Sequence, residues 1–204
     1  MIKEATQERS IRTREQIEQA ALKAFAELGY DGASTRLIAD SAGVKQQLIS
    51  YHYGSKLELW KIVADRLFNE YREHLINRLN GLEGVDDLTI ARLLIRDYLE
   101  YCAEHPELAR FMIHEGGSLT PRLTWLFERH TGSLMQQMQD RILRARQLTG
   151  APKANGTQLM YILIGSSAMY SQHAEYELIS GEQPNSKKNI SSHSDLVCSL
   201  LLGL

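Results

Sequence analysis

Proline is scarce in this chain, and its scarcity limits the folds that the chain can adopt. Only four of the 204 residues are proline, well below the usual share of about 5%. Leu, Ala, Glu, Gln and Arg, which favour helices, dominate the sequence. Long helices are therefore the expectation, and a fold rich in β-sheet is excluded.

Charge and cysteine content narrow the class of protein. The formal net charge is −2, so a uniformly basic surface is excluded and any nucleic-acid site must be local. Cys102 and Cys198 form no C-x-x-C pair, which is typical of a reducing compartment. No stretch approaches the roughly 18 apolar residues of a membrane span. We expect a soluble, cytoplasmic protein that does not bind membranes.

Capping signals and glycines divide the chain into about nine predicted helices and no strand. The first helix follows Thr13 and ends at Gly29, and two short helices follow at about 35–42 and 45–52. The other six predicted helices begin at cap or proline signals near Ser55, Asp86, Pro106, Thr120, Asn155 and Ser191. The sequence predicts an all-α protein.

The two short helices have the layout of a helix-turn-helix. They are joined by Ala42-Gly43-Val44, and a glycine in such a turn relieves left-handed backbone strain. The second helix of this motif enters the major groove of DNA. The same spacing also fits a three-helix bundle that contacts no DNA.

Residue identities in this segment resemble the TetR family of one-component regulators. The matching stretches are Phe25-Ala-Glu-Leu-Gly29-Tyr30, Ser34-Thr35-Arg-Leu-Ile38-Ala39, Ala42-Gly43-Val44 and Tyr51-His52-Tyr53-Gly54-Ser55-Lys56. The resemblance is dense over residues 13–60. It implies an N-terminal three-helix DNA-binding domain over 1–56, and a C-terminal helical domain over 57–204 that binds an effector and dimerises.

Three positions depart from the family pattern. Lys45 stands where many members have a serine that caps the recognition helix, so this helix start lacks its usual cap. Leu48 and Ser50 stand where many members have a small polar residue and a tyrosine that touch DNA. The general docking on DNA is retained, but the operator sequence is not carried over from a relative.

Candidate DNA contacts lie on the two short helices and just beyond them. Gln46 and Gln47 can pair with adenine, and Lys45 can reach guanine or a phosphate. Val44 and Ile49 fit the buried face, and Leu48 fits either the core or a thymine methyl. The resemblance adds phosphate contacts from both helices. The full set is Thr35, Arg36, Lys45, Gln46, Gln47, Ser50, Tyr51, His52 and Lys56.

Candidate effector contacts lie on the predicted fifth to eighth helices. Ligand pockets in helical domains are apolar with a few polar anchors, and His130 and His173 are such anchors. Each of these residues would equally fill a helical core. The set is Tyr98, Cys102, Met112, Trp125, Phe127, His130, Met138, Tyr161, Met169 and His173.

The last two predicted helices favour a homodimer. Gly165-Ser166-Ser167-Ala168 would let another helix approach closely, and the TetR resemblance implies the same interface. Packing within one chain would use the same face.

These features predict a regulator of transcription. No nucleophile elbow, P-loop, dinucleotide fingerprint or zinc-protease motif is present, so no enzymatic activity, cofactor or metal is expected. The hypothesis is a repressor that binds a palindromic operator as a dimer and is released by a small apolar ligand. The alternative is a DNA-bound adaptor that acts through a protein partner without a small effector.

Overall fold

A computed structural model describes the backbone of residues 2–204 and the side chains from Gln7 onward. The described residues contain helices and no strand, which confirms the all-α prediction. The α-helices are α1 (Ile2–Gly32), α2 (Thr35–Ala42), α3 (Gln47–Tyr53), α4 (Lys56–Leu79), α5 (Asp87–Glu104), α6 (Pro106–Gly116), α7 (Pro121–Leu126), α8 (Gly132–Thr149), α9 (Gly156–Ser166), α10 (His173–Ser180) and α11 (Lys187–Leu202).

The first helix begins earlier than predicted. α1 starts at Ile2, and Thr13 lies inside it, where the threonine hydroxyl donates to the carbonyl of Arg9 at 2.8 Å. The predicted end is confirmed, because helical geometry breaks at Gly29 with φ 69° and ψ 175°. A positive φ of this kind favours glycine.

Several predicted caps are present. The Ser34 hydroxyl accepts a hydrogen bond from the Leu37 amide at 3.1 Å, and the Ser55 hydroxyl accepts from the Glu58 amide at 3.2 Å. Such bonds satisfy amides that have no partner within the helix. The predicted start of the last helix at Ser191 is wrong, because α11 is capped by Ser186.

Two predicted helices are interrupted, which is why the structure has more helical segments than nine. A π-helical turn, Phe127–Thr131, separates α7 from α8. A Cβ at Gly132 would lie 2.8 Å from the Phe127 carbonyl oxygen, so this glycine permits the turn. A 3₁₀ turn, Ser167–Tyr170, follows α9. There the Ser166 and Ser167 hydroxyls donate to the carbonyls of Leu163 and Ile164 and compete with the helix.

The chain folds into two compact units, each described here by itself. Unit 1 comprises the described residues up to Asn69 and Arg110–Thr124. Unit 2 comprises Glu70–Ala109 and Trp125–Leu204. The functional boundary at residue 56 stays a prediction.

Aromatic packing forms the centre of unit 1. The Trp60 side chain is fully buried and stacks on Phe111, with ring centroids 5.5 Å apart. The guanidinium of Arg122 lies 4.0 Å from the centroid of the Tyr30 ring and pairs with the buried carboxylate of Glu115. Leu37 on α2 lies outside this core, since its side chain is 41% exposed.

In unit 2, α5 packs against α8 and α11, and one buried carboxylate is held by an arginine and a histidine. The Asp97 side chain is 2% exposed. It accepts hydrogen bonds from Arg78 Nε at 2.7 Å, and its carboxylate lies 2.9 Å from His74 Nε2. These bonds offset the cost of removing the carboxylate from water.

Replacing Arg78 tests this balance. Arg78→Ala leaves the carboxylate of Asp97 buried with His74 alone, so we expect the free energy of unfolding to fall by about 2–3 kcal/mol. The matched control is Arg96→Ala, because the Arg96 to Asp195 pair is partly exposed and should contribute less than about 1 kcal/mol. Urea denaturation measures both. An equal fall in the free energy of unfolding for both variants would contradict a larger contribution from the buried Arg78 to Asp97 pair.

Candidate functional site

The helix-turn-helix is built from α2, α3 and the turn between them. Gly43 has φ 68° and ψ 30°, the left-handed conformation that ends α2. The Val44 amide then donates to the Ala39 carbonyl at 3.0 Å. Ile38 and Ile49, one from each helix, are buried in unit 1. The turn therefore fixes α3 through its buried face and leaves the opposite face exposed.

The start of α3 is uncapped, as the sequence predicts. Gln46 occupies the N-cap position with helical φ and ψ, and no side chain caps the helix. The helix begins at Gln47, two residues after the predicted start at Lys45. The Leu48 and Ile49 amides bond to the carbonyls three residues earlier, so the first turn is tight and 3₁₀-like.

The predicted DNA-contacting residues of this segment lie on the exposed face of α3 and just before it. Lys45, Gln46, Gln47 and Ser50 are all exposed. The Gln46 amide donates to the hydroxyl of Thr35 at 2.9 Å and so joins α2 to α3. Because the amide of Gln46 is engaged inside the motif, Gln47 is the stronger candidate for reading a base.

His52 is held as a neutral donor. Arg14 Nε donates to His52 Nδ1 at 3.5 Å, which leaves the ring proton of the neutral imidazole on Nε2. Burial, and then the charge of Arg14, lower the pKa of His52. The Tyr51 side chain beside it is 80% exposed, with its ring centroid 4.9 Å from that of His52. Both residues can therefore contribute polar atoms to a phosphate.

Tyr53 is a positioning residue that the sequence reasoning missed. Its ring is 7% exposed, and its hydroxyl lies 3.2 Å from the Arg14 carbonyl and 3.1 Å from the Glu18 carboxylate. Burial and the Glu18 charge raise the pKa of Tyr53. The hydroxyl anchors the end of α3 to α1. Its position four residues after the buried Ile49 is the signal that could have found it.

Lys56 at the start of α4 lies against an aromatic ring. Its Nζ is 4.4 Å from the centroid of Tyr30, which also stacks against the guanidinium of Arg122. Burial lowers the pKa of Lys56. The ring holds the lysine stem in place beside the helix-turn-helix. Arg36, the other predicted phosphate contact, is exposed and lies 4.0 Å from Asp40.

The predicted effector residues are not all brought together. Met112 lies in unit 1, whereas the others lie in unit 2. The side chains of Phe127 and Tyr161 are 54% and 67% exposed, so they do not line a buried site within one chain. The buried or half-buried members in unit 2 are Tyr98, Cys102, Trp125, His130, Met138, Met169 and His173.

Two groups within unit 2 contain most of these members. Tyr98 and Cys102 lie one turn apart on α5, and the Tyr98 hydroxyl is 3.3 Å from the hydroxyl of Ser167. Trp125 and His130 meet at the π-helical turn, with ring centroids 5.6 Å apart. The sequence reasoning missed Ser167 as a partner because the 3₁₀ turn that presents it was predicted as regular helix.

Among the described residues, no three His, Cys, Asp or Glu side chains are grouped so that they could hold a metal ion. No helix of residues 2–204 combines the length and the apolar character needed to span a bilayer.

Comparison with known proteins identifies the helix-turn-helix. A sequence model described as "Bacterial regulatory proteins, tetR family" matches residues 17–61. "Nucleoid occlusion factor SlmA" of Vibrio cholerae is 30% identical over 148 residues, which cover 67% of this chain and 71% of SlmA. The chain belongs to the TetR family.

Two further TetR-type proteins illustrate the range of similarity. The repressor NicS of Pseudomonas putida is 30% identical over 115 residues, covering 52% of this chain and 50% of NicS. This chain spans about half the length of several of the curated relatives that it matches. AibR, solved with isovaleryl coenzyme A and operator DNA, shares the fold with a TM-score of 0.72 at 15% identity, over 94% of this chain and 98% of AibR.

Membership settles the general class of activity. This TetR-family protein is a DNA-binding regulator of transcription and not an enzyme, as the sequence predicts. The helix-turn-helix described above is the part that the family shares most densely, since the family model lies entirely within α1 to α4.

Base reading and phosphate anchoring should separate in variants of this TetR-family protein. Lys56→Ala should weaken binding to all DNA sequences alike and reduce the salt dependence by about one released counterion. Gln47→Ala should cost roughly 1–3 kcal/mol at one operator position and relax the choice of base there. Gln46→Ala is the matched control with a smaller expected effect. Fluorescence anisotropy with specific and random DNA measures these losses, and equal losses throughout would contradict the assignment.

DNA binding should also depend on the protonation of His52. A phosphate near Nε2 favours the imidazolium, so binding takes up a proton and affinity rises as pH falls. Between about pH 7.5 and pH 5.5 we expect a several-fold gain. His52→Gln should flatten this slope, whereas His105→Gln, which alters a histidine in unit 2, should leave it unchanged. Identical slopes for wild type and His52→Gln would show that this imidazole takes up no proton when DNA binds.

Proposed function

We propose that this protein is a repressor that binds a palindromic operator as a homodimer and is released by a small molecule. The observation that carries the proposal is the exposed polar face of α3, held in place by its buried opposite face. A helix of this kind reads the major groove through its first turn. One such helix specifies few base pairs, so two copies related by a two-fold axis are needed for a specific site.

Apolar residues at the end of the chain support the dimer. Tyr161 and Ile162 on α9 are 67% and 50% exposed, and Leu196 and Leu200 on α11 are 56% and 64% exposed. Gly165 has open space where a Cβ would project, so a partner helix can approach closely. Because α9 and α11 pack together, a self-complementary four-helix interface follows. Two recognition helices related by a two-fold axis would read half-sites about 34–36 Å apart, or at another separation set by deformation of the DNA.

Unit 2 is the proposed effector-binding part. Its side chains near Tyr98 and Trp125 combine aromatic rings with a few polar atoms, as ligand sites do. AibR, which shares the fold, was solved with a small-molecule ligand and operator DNA together. To release operator DNA, a ligand must favour the state that does not bind DNA, and a coupling of about 1–3 kcal/mol lowers affinity roughly 5–150-fold.

A second candidate function is an adaptor that binds DNA and acts through a protein partner. The match to SlmA favours it, because that match covers 67% of this chain and so extends beyond the helix-turn-helix. SlmA is described as a nucleoid occlusion factor rather than as a repressor. An adaptor would bind DNA in the same way and would need no small effector.

Charged substitutions on the terminal helices test the dimer and its link to DNA binding. Leu196→Glu with Leu200→Glu should yield a folded monomer by sedimentation and weaken operator binding by at least tenfold, because each half-site then binds one chain alone. Leu119→Glu is the control, since that side chain is 90% exposed but lies outside α9 and α11. A double variant that remains dimeric, or a monomer with unchanged operator affinity, would overturn the proposal.

Removing Trp125 tests the effector role of unit 2. Trp125→Ala should blunt release by an inducing compound while leaving ligand-free operator affinity within a few fold. Phe127→Ala is the control, because that side chain is 54% exposed and should not affect release. A repressor assay in cells that contain the operator measures both. Unchanged induction in Trp125→Ala would remove Trp125 from the effector site, whereas a wild type that no compound releases would favour the adaptor.

A further inference from the structure

Five polar side chains meet in the interior of unit 2 and form what we call the tyrosine cluster. Its members are Tyr71 on α4, Tyr98 and Cys102 on α5, and Ser167 and Tyr170 on the 3₁₀ turn. Tyr71, Cys102, Ser167 and Tyr170 are between 0% and 3% exposed. The hydroxyls of Tyr98 and Ser167 are 3.3 Å apart, the ring centroids of Tyr71 and Tyr98 are 6.4 Å apart, and Tyr170 lies on the same 3₁₀ turn as Ser167.

Two hydroxyls of the cluster have no hydrogen-bond partner. The Ser167 hydroxyl donates to the Ile164 carbonyl at 2.8 Å, so its oxygen is available to accept from the Tyr98 hydroxyl at 3.3 Å. The hydroxyls of Tyr71 and Tyr170 are buried and have no hydrogen-bond partner. A buried hydroxyl without a partner costs free energy. Two such groups in one buried cluster are the mark of a site that an acceptor atom would complete.

The cluster contains no charge. Burial raises the pKa of Cys102 to about 11, so the thiol is neutral at physiological pH, and the phenols are neutral as well. The nearby carboxylate of Asp97 is already held by Arg78 and His74. An anionic group placed among these hydroxyls would lose its hydration without meeting a cation, which is costly.

We propose that the tyrosine cluster binds a small uncharged ligand that offers a hydrogen-bond acceptor, such as a ketone or ester, on an apolar body. The Tyr71 and Tyr170 hydroxyls donate to the acceptor. The rings of Tyr71 and Tyr101, whose centroids are 4.7 Å apart, supply an aromatic wall. This inference rests on the proposed regulatory function, since the ligand would be its effector.

The position of Tyr71 connects this site to the rest of the chain. Tyr71 lies on α4, the same helix that begins at Lys56 next to the helix-turn-helix. Ser167 and Tyr170 lie on the 3₁₀ turn that the serine hydroxyls create after α9. A ligand held between these residues would therefore act on α4 directly.

Three probes of similar size separate the ligand classes. Acetophenone carries a neutral acceptor, benzoate carries an anion in the same place, and ethylbenzene carries neither. Titration of the full-length protein followed by ligand-observed NMR and calorimetry should give acetophenone at least fivefold tighter binding than either of the others. Failure of acetophenone to bind at millimolar concentration, or equal affinity for all three, would overturn the proposal.

Variants that each remove one hydroxyl test whether acetophenone binds at the tyrosine cluster. Tyr71→Phe and Tyr170→Phe should each weaken acetophenone at least fivefold and leave ethylbenzene unchanged, whereas Tyr161→Phe, which alters an exposed phenol, should change neither. Without ligand, both variants should be as stable as wild type or more stable, because each loses a hydroxyl that has no partner. Lower stability would show that these hydroxyls are already bonded inside the protein and would overturn the proposal.

Operator binding distinguishes this inference from the proposed function. Ligand-free Tyr71→Phe and Tyr170→Phe should bind operator DNA like wild type, and acetophenone should lower the operator affinity of wild type but not of the variants. If acetophenone binds at the cluster and operator affinity stays the same, the site stands and its effector role fails. If no chain binds DNA, the proposed function itself fails, whatever the probes show.

Discussion

The stack of Trp60 on Phe111 is the contact on which unit 1 depends. Both rings are almost completely buried, and aromatic side chains of this size bury more apolar area than other core residues. Trp60 belongs to α4 and Phe111 to α6, so the stack joins the N-terminal helices to a segment fifty residues later in the chain. Tyr30 packs edge-on against the same Trp60. Tyr30 in turn contacts the side chains of Arg122 and Lys56, so the aromatic stack positions both of these cations.

On the proposed function, local electrostatics rather than overall charge would attract DNA to unit 1. The net charge of the chain is −2, so attraction to phosphate must come from a few placed groups. Lys56 is positioned by the Tyr30 ring, and His52 is kept in one tautomer by Arg14. The fixed side chains lose less entropy on binding than free ones would. An acidic protein can in this way present a small basic surface.

The features that sequence could predict are the local ones. The caps at Ser34 and Ser55 and the left-handed turns at Gly29 and Gly43 depend on the chemistry of a few neighbouring residues, and each was found from those residues. The early start of α1 was missed because the sequence before Thr13 is mostly polar and shows no apolar stripe at helical spacing. Helix propensity, rather than periodicity, determines that segment.

The remaining features depend on contacts that periodicity does not encode. The π-helical and 3₁₀ turns arise from steric freedom at Gly132 and from serine hydroxyls that bond to the backbone, and both segments keep apolar spacing. Tyr161 was assigned to a pocket because an apolar residue fits a core or an interface equally well. Tyr71 went unassigned because a buried tyrosine is the ordinary case. Only the lack of a hydrogen-bond partner for its hydroxyl distinguishes it.

Selection of bound DNA from a random pool tests the central claim, that exposed residues of α3 read an operator in a two-fold arrangement. The account predicts one enriched sequence with dyad symmetry, whose half-sites are separated by about one helical turn or a multiple of it. Enrichment of a sequence without dyad symmetry, or no enrichment over the starting pool, would contradict it.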